Sequence, residues 1–382
     1  MQHQRYNKNF KFVEEPVKFD KNTDREFLQY CVGAVLYMPA TRDFREAILT
    51  DHVPGLTSMV MCFEDAIDEK DIPEAEKNVL QFLHFVDDKI NSGELDPDNV
   101  PLIFLRVRSI DQYDELLELL DEKAIKILTG FVFPKFNSIN GEDYFSRLTE
   151  TAEKYDQKLY GMPILEGREI AYKENRISEL IKVKGITDKY KDYVLNIRLG
   201  GTDFSSCFGV RRGIDYTIYD VMPVRDCILD ILNVFERENS YVVSGPVWEY
   251  FLANKNMKFE NIPEDKFQYT LLTRTPLVNS AVDGLLREVI IDKANGIIGK
   301  TCIHPTHIRF VNGMQAVTLD EYNDACQILN TSGGVVKSKK SNKMNEVKPH
   351  TSWAKKIYAR AKAYGVIENE NQYLQLFSSA EH

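Results

Sequence analysis

The sequence predicts an α/β protein that consists of a closed (β/α)8 barrel with a C-terminal helical extension. Two observations lead to this prediction. Eight short apolar segments of strand length recur along the chain, and each is followed by a longer, charged segment with helical periodicity. The eight units occupy residues 33–303, which is close to the ~250 residues that eight alternating units need.

Composition narrows the class of protein. Of 382 residues, 43% are hydrophobic and 28% are charged, which is typical of a globular chain with a sizeable core. The formal net charge of −10 argues against general nucleic-acid binding and against an anionic membrane surface as partner. Residues 1–26 lack an apolar signal segment, no span reaches ~20 apolar residues, and the six cysteines form no CxxC pair. We therefore expect a cytoplasmic, small-molecule enzyme.

Three regions are predicted: an N-terminal extension over residues 1–30, a barrel domain over 31–330, and a basic loop with a helical extension over 331–382. No function is expected in the N-terminal extension. Helical patterns fill the gaps between strands, for example over 114–127 and 144–155. The predicted strands are 33–38, 58–63, 102–107, 130–133, 159–164, 193–199, 241–244 and 300–303.

The C-terminal region differs in charge from the barrel. Residues 331–364 contain nine Lys or Arg and one acid, Glu346. An amphipathic helix is predicted over 352–366, with Trp353, Ile357 and Tyr364 available for packing. We expect the basic loop 335–343 to fold against a mouth of the barrel, where it either binds phosphates or forms a solvated surface.

Charged residues concentrate after the predicted strands. In a barrel of this kind catalytic side chains lie at the C-terminal ends of the strands, so these residues should share one pocket. They are Glu64 and Asp65, Arg106 and Arg108, Lys135, Glu166, Asp203 and His304.

Three of these residues suggest a chemistry. Glu166 and Asp203 follow consecutive strands and could supply two oxygens to one Mg²⁺, which leaves positions free for a chelating carboxylate substrate. Arg106 would place a cation beside an oxygen that becomes an enolate when a carbon–carbon bond breaks. The alternative is that these charges form ordinary ion pairs at the barrel rim.

Seven segments in order resemble one superfamily over roughly residues 30–330: LYMPATR (36–42), CFEDAI (62–67), FLRVR (104–108), FVFPKF (131–136), GMPILEG (161–167), LGGTDF (199–204) and GIIGKTCIHP (296–305). The chain is similar to the citrate lyase beta subunit and HpcH/HpaI aldolase superfamily, which includes malyl-CoA lyases. The resemblance implies a TIM-barrel lyase that depends on Mg²⁺ or Mn²⁺ and cleaves or forms a carbon–carbon bond through an enolate.

The resemblance also implies roles for single residues. Glu166 and Asp203 match the metal-binding glutamate and aspartate, and Arg106 matches the arginine that holds the substrate. Glu64 and Asp65 match a pair expected to orient water beside the metal.

Further substrate contacts are expected from Arg42, Arg108 and Lys135. The family pattern usually has asparagine where this chain has Arg108, and glycine where it has Ala40, so the substrate could be a CoA thioester or a different carboxylate, including a phosphate-bearing one.

Beyond the barrel, the family places an aspartate that is lent to a neighbouring subunit's active site. Glu346 takes that place here; it either acts as an acid or base in trans or merely offsets the neighbouring lysines. The shared site implies a homo-oligomer, a trimer or a multiple of it. The C-terminal part resembles a branch found with tellurite- and stress-resistance proteins.

Two other functions stay open on the sequence. The same site could hydrolyse a thioester, with water replacing the carbon nucleophile. Alternatively, the barrel could have lost catalysis and serve as a binding or scaffold protein of a stress-response operon.

Overall fold

The eight predicted strands are all present in the computed structural model, which describes residues 1–65, 67–251, 267–274, 277–337 and 344–377. Most of their residues are buried, as expected for parallel strands covered on both faces. The barrel strands are β1 (Ala34–Pro39), β2 (Ser58–Cys62), β3 (Leu102–Arg106), β4 (Gly130–Phe133), β5 (Tyr160–Leu165), β6 (Ile197–Leu199), β7 (Val243–Ser244) and β8 (Lys300–Cys302).

The strands pair in parallel with their sequence neighbours from β1 to β7, and β8 pairs with β1. A parallel bridge between Gly245, directly after β7, and Lys300 joins the two remaining edges. The sheet is therefore closed, and the predicted (β/α)8 TIM barrel is confirmed. Short strands β9 (Val317–Thr318), β10 (Val335–Lys337), β11 (Met344–Glu346) and β12 (Val366–Ile367) lie outside it.

Sixteen α-helices occur in the described residues, and most of them surround the barrel. They are α1 (Arg25–Cys31), α2 (Arg45–Leu49), α3 (Ile72–Asn91), α4 (Ile110–Leu119), α5 (Glu122–Ile127), α6 (Gly141–Tyr155), α7 (Arg168–Ala171), α8 (Lys173–Lys189), α9 (Gly201–Cys207), α10 (Met222–Phe235), α11 (Phe267–Leu272), α12 (Ser280–Ala294), α13 (His307–Met314), α14 (Leu319–Leu329), α15 (Val347–Tyr364) and α16 (Tyr373–Phe377).

The single helix predicted over 114–127 is wrong in one respect, because the structure divides it into α4 and α5. The second helix has its own N-cap: the Asp121 side chain accepts a hydrogen bond from the backbone N–H of Ala124. The Asp side chain replaces a backbone carbonyl as the acceptor for an N–H group at the start of the second helix, so the break costs little free energy.

The C-terminal helix α15 begins at Val347, five residues before the predicted start. Pro349 lies in its first turn, where the missing N–H has no helical partner in any case. The helix ends at Tyr364, two residues before the predicted end, because the next residue, Gly365, has a φ of 83°, which glycine adopts without steric cost.

Helix α15 packs against α14 and α1. Its Tyr364 hydroxyl donates to the backbone oxygen of Tyr30 in α1, at 2.8 Å. Because α1 precedes β1, this contact places the helix at the N-terminal end of the barrel, opposite the predicted pocket. Residues 338–343 of the basic loop lie outside the described residues, so its docking stays a prediction.

None of the helices in the described part of the chain combines the length and the apolar composition that crossing a bilayer requires.

Candidate active site

A cavity of about 400 Å³ opens at the C-terminal ends of the strands. Strands β1, β3, β5, β6 and β8, together with the loops that follow β2 and β6, contribute its walls. Its charged and polar lining includes Tyr37, Asp65, Arg106, Glu166, Arg198 and Asp203. Four of these six were predicted from their positions after strands, and the structure brings them together.

Arg106 ends β3 and its side chain is 11% exposed. It forms an ion pair with Glu64, and its Nη2 lies 3.5 Å from Oε1 of Glu166 and 3.8 Å from Oδ2 of Asp65. Burial lowers the pKa of Arg106, but the surrounding negative charges raise it by more, and Glu166 has the largest of these raising effects. The net result is a raised pKa. The guanidinium is a permanent cation held among carboxylates.

Glu166 directly follows β5 and is 3% exposed. Its Oε1 accepts a 2.9 Å hydrogen bond from the backbone N–H of Lys135. Burial raises the pKa of Glu166, Arg106 opposes that change, and the charge of Asp203 raises the pKa further. Two carboxylates thus repel each other across a shared cavity.

Glu64 lies deeper than its neighbour Asp65. Its Oε1 accepts a 2.7 Å hydrogen bond from Nζ of Lys135, and burial raises its pKa against the opposing effect of Arg106. The hydrogen bond to Glu64 raises the pKa of Lys135. The lysine is therefore a charged ion-pair partner at the rim, and its amine is not poised as a nucleophile.

The residues that precede Asp203 shape the wall beside Glu166. A Cβ atom on Gly200 would overlap the Glu166 side chain, so the chain passes this point only as glycine. Asp203 then stands in the first turn of α9 and lines the same cavity. The close passage brings the two carboxylates to one wall.

The donor set fits a divalent cation. Burial and, to a smaller extent, repulsion by Asp203 raise the pKa of Glu166. A hard cation prefers oxygen ligands, and its positive charge would favour the ionised form of both carboxylates. Within the described ranges, no group of three or more His, Cys, Asp or Glu side chains is arranged to hold a metal ion. A cation here would have Glu166 and Asp203 as protein ligands, with water or substrate completing the shell.

Six of the residues predicted for this site do not line the cavity: Arg42, Glu64, Arg108, Lys135, His304 and Glu346. Glu64 and Lys135 line a neighbouring cavity, where they pair with each other, and Glu64 also pairs with Arg106. His304 stacks on Phe251. Arg42 is exposed, and its backbone oxygen accepts a hydrogen bond from Asn78. Arg108 faces a neighbouring cavity and donates to the backbone oxygens of Phe63 and Ile67. Glu346 is exposed at the N-cap of α15, so a role for it in the pocket of its own chain has no support in this geometry.

Among the polar residues of the pocket wall, sequence reasoning missed Thr202, in the first turn of α9, and three strand residues, which are Tyr37, Arg198 and Thr301. The three strand residues lie inside predicted strands, whereas site residues were predicted only after the strand ends. The available signal was a charged residue, Arg198, near the end of the mostly apolar segment 193–199.

The closed parallel barrel, with a charged pocket at the C-terminal ends of its strands, defines the chain as a TIM-barrel protein with an enzyme-like site. A family model narrows this class. The chain belongs to the C–C bond lyase family of the TIM-barrel fold, whose model matches residues 26–366. The family comprises carbon–carbon lyases, so the predicted enzyme class is confirmed.

Solved structures resemble this chain at low sequence identity. Haloferax volcanii malate synthase, in its native form at 3 mM glyoxylate, is 11% identical, with 86% of this chain and 87% of that chain covered and a TM-score of 0.51. Mycobacterium tuberculosis CitE in complex with magnesium, acetoacetate and coenzyme A is 16% identical, with 87% and 99% covered and a TM-score of 0.49.

The HpcH/HpaI aldolase from Desulfitobacterium hafniense DCB-2 is 10% identical, with 73% of this chain and 89% of that chain covered and a TM-score of 0.40. No curated protein matches the sequence.

Proposed function

We propose that the protein is a magnesium-dependent lyase that cleaves or forms a carbon–carbon bond in a 2-oxo or hydroxy acid, its CoA ester or a phosphate-bearing analogue. The observation that supports this most directly is the arrangement of Glu166, Asp203 and Arg106 around one cavity. Two carboxylates beside a fixed guanidinium provide a cation site and a separate donor for a developing enolate oxygen.

The protein's own groups have distinct tasks. Arg106 donates hydrogen bonds to the substrate oxygen that gains negative charge, and its ion pair with Glu64 fixes the direction of that donation. Glu166 and Asp203 would hold the divalent cation, which when bound would supply positive charge that polarises the substrate carbonyl. Asp65 is 66% exposed at the side chain, 3.8 Å from Arg106, and orients water at the entrance.

Two broader features accompany this proposal. We infer a homo-oligomer, because Glu346 is exposed away from its own pocket and could contribute to catalysis only in a neighbouring subunit. Light scattering after size-exclusion chromatography measures this directly, and a monomer at working concentration would exclude the role in trans. We also infer a cytoplasmic location, which the absence of disulfides among the six cysteines supports.

Calorimetric titration of metal-free protein with Mg²⁺ tests the central proposal. We expect binding by the wild type, tightened by pyruvate or oxaloacetate, and loss of binding in a Glu166→Gln, Asp203→Asn double variant. Glu174→Gln changes an exposed glutamate on α8 and serves as the matched control. Equal behaviour of wild type and double variant in every mixture would remove the lyase proposal and favour a non-catalytic binding protein.

Product analysis then separates the chemistries. Release of a free acid and CoA from a thioester, without a change in the carbon skeleton, would identify a thioester hydrolase. Formation of a shorter oxo acid or of an extended hydroxy acid would support the lyase.

A further inference from the structure

Arg198 is a charged residue inside the barrel. It lies on β6 between the register partners Ile164 of β5 and Ser244 of β7, and it is 1% exposed. Its side chain reaches towards β8, where Nη2 donates a 2.6 Å hydrogen bond to the hydroxyl of Thr301. The guanidinium carbon lies 5.6 Å from the centre of the Tyr37 ring on β1. All three residues line the cavity that contains Glu166 and Asp203.

The pairing of Arg198 differs from that of the other buried arginines. A carboxylate lies within 3.8 Å of each of four others, which are Arg25 with Glu26, Arg176 with Asp226, Arg212 with Glu288 and Arg360 with Glu321. In the part of the chain that the structure describes, no carboxylate lies that close to Arg198.

The nearby polar atoms are also unsatisfied. Nε and Nη1 of Arg198 and the hydroxyl of Tyr37 are buried and have no hydrogen-bond partner among the described residues. A buried charge without a counter-ion, and buried donors without acceptors, each cost free energy that a folded protein normally avoids. The missing partner here is an anion with acceptor oxygens, and the cavity is where it would lie.

Arg106 differs from Arg198, because three carboxylates, those of Glu64, Asp65 and Glu166, already lie near its guanidinium. We propose that Arg198, with the hydroxyls of Tyr37 and Thr301, forms a second anion subsite that binds a carboxylate at the far end of the substrate. The substrate is then an oxo or hydroxy diacid. This inference rests on the proposed lyase site, which would hold the other end of the same molecule.

Matched ligand pairs test the subsite. Oxaloacetate, 2-oxoglutarate and 2-oxoadipate each carry a terminal carboxylate, whereas 2-oxobutyrate, 2-oxopentanoate and 2-oxohexanoate carry a methyl group of similar size. Binding to Mg²⁺-loaded protein is measured by calorimetry. We expect the wild type to bind at least one diacid about 10- to 100-fold more tightly than its partner, as one buried charge-assisted hydrogen bond predicts.

Three variants locate the preference. Arg198→Met should abolish it while the affinity for the monoacids stays within about twofold, and Arg198→Lys should retain part of it. Tyr37→Phe should reduce it by less than Arg198→Met does. Arg225→Met, on the exposed surface of α10, controls for a change to methionine elsewhere.

Thermal unfolding guards against a folding artefact. Removal of an uncompensated buried charge should leave the melting temperature of Arg198→Met equal to or above that of the wild type. A purely structural Arg198 would instead lower the melting temperature and leave the diacid preference unchanged, which would overturn the inference.

The failure of this inference differs from the failure of the lyase proposal. If no pair shows a preference, but oxo acids still bind only with Mg²⁺, the second subsite is wrong and the lyase site stands. If neither Mg²⁺ nor any oxo acid binds, the lyase site is wrong and the subsite that depends on it falls as well.

Discussion

The backbone N–H of Lys135 donates a 2.9 Å hydrogen bond to Oε1 of Glu166. The same residue's ammonium group donates to Glu64, so Lys135 connects the two buried carboxylates that flank Arg106. To do both, its backbone adopts a φ of 47°, a left-handed conformation that is uncommon for a residue with a side chain. The strained backbone of Lys135 thus allows one residue to hold both Glu64 and Glu166.

That conformation predicts a difference between two variants of Lys135. Lys135→Gly and Lys135→Ala both lose the ion pair with Glu64, but only glycine adopts a φ of 47° without steric cost. The free energy of unfolding should be about 1 kcal/mol larger for Lys135→Gly than for Lys135→Ala. Urea denaturation measures it, and a glycine variant less stable than the alanine variant would contradict the strain.

Gly200 should tolerate no side chain. In Gly200→Ala the added Cβ overlaps Glu166, so that the carboxylate must move and Mg²⁺ affinity should fall at least tenfold. Gly185, in the exposed part of α8, has no atom near its Cβ position, and Gly185→Ala should stabilise the protein by about 0.5–1 kcal/mol and leave Mg²⁺ binding unchanged. Calorimetry and urea denaturation of both variants check this contrast; equal Mg²⁺ affinity would refute it.

Arg106 and Arg108 should differ in their effect on stability. Arg106→Gln leaves Glu64 and Glu166 buried without their shared cation and should lower the free energy of unfolding by about 3 kcal/mol in metal-free protein. Arg108→Gln loses only long hydrogen bonds to two backbone oxygens and should cost less than about 1 kcal/mol. Chemical denaturation of both variants at pH 7 provides the measurement, and equal losses would contradict the pairing.

Acid sensitivity should depend on His3. Its ring stacks on Tyr364 at 4.3 Å and its Nε2 hydrogen-bonds the backbone oxygen of Cys31, and burial lowers its pKa from 6.5 to about 3. His3 therefore becomes protonated below about pH 6.5 in the unfolded chain, but only below about pH 3 in the folded protein. The stability present above pH 6.5 is lost as the pH falls, by about 2 kcal/mol at pH 5.

A variant isolates this contribution. His3→Phe keeps a stacked ring but has no proton to bind, so its loss of stability between pH 7 and pH 5 should be smaller by about 2 kcal/mol than that of the wild type. His52→Gln, at an exposed histidine, should leave the pH dependence unchanged. Unfolding curves at the two pH values decide the matter, and parallel losses in wild type and His3→Phe would show that His3 is not responsible.

The barrel was predictable because its signals are local. Apolar segments such as 58–63 and 102–107 have the length and composition of buried parallel strands, and every structural strand overlaps its predicted segment, although β6 begins four residues and β7 two residues after the predicted start. The break between α4 and α5 was missed because helical periodicity continues across Asp121. In the structure, Leu120 and Asp121 have extended backbone, and the Asp121 side chain accepts the N-cap hydrogen bond from Ala124.

The candidate site was predictable to the extent that it lies at strand ends. Chain order alone places Arg106, Glu166 and Asp203 at the same end of a parallel barrel, and the structure brings them to one cavity. Arg42 and Arg108 also follow strands, yet one is exposed and the other turns to a neighbouring cavity. The position of a Cα atom does not determine the direction of a long side chain.

The sequence by itself determined the order and type of the elements, and with them the end of the barrel where charges collect, because strand and helix patterns depend on neighbours within a few residues. The tertiary structure decided which charges meet. Lys135 pairs with Glu64 across 71 positions, and Arg198 reaches Thr301 across 103. Contacts of that kind depend on burial and side-chain direction in the closed barrel, which no local pattern records.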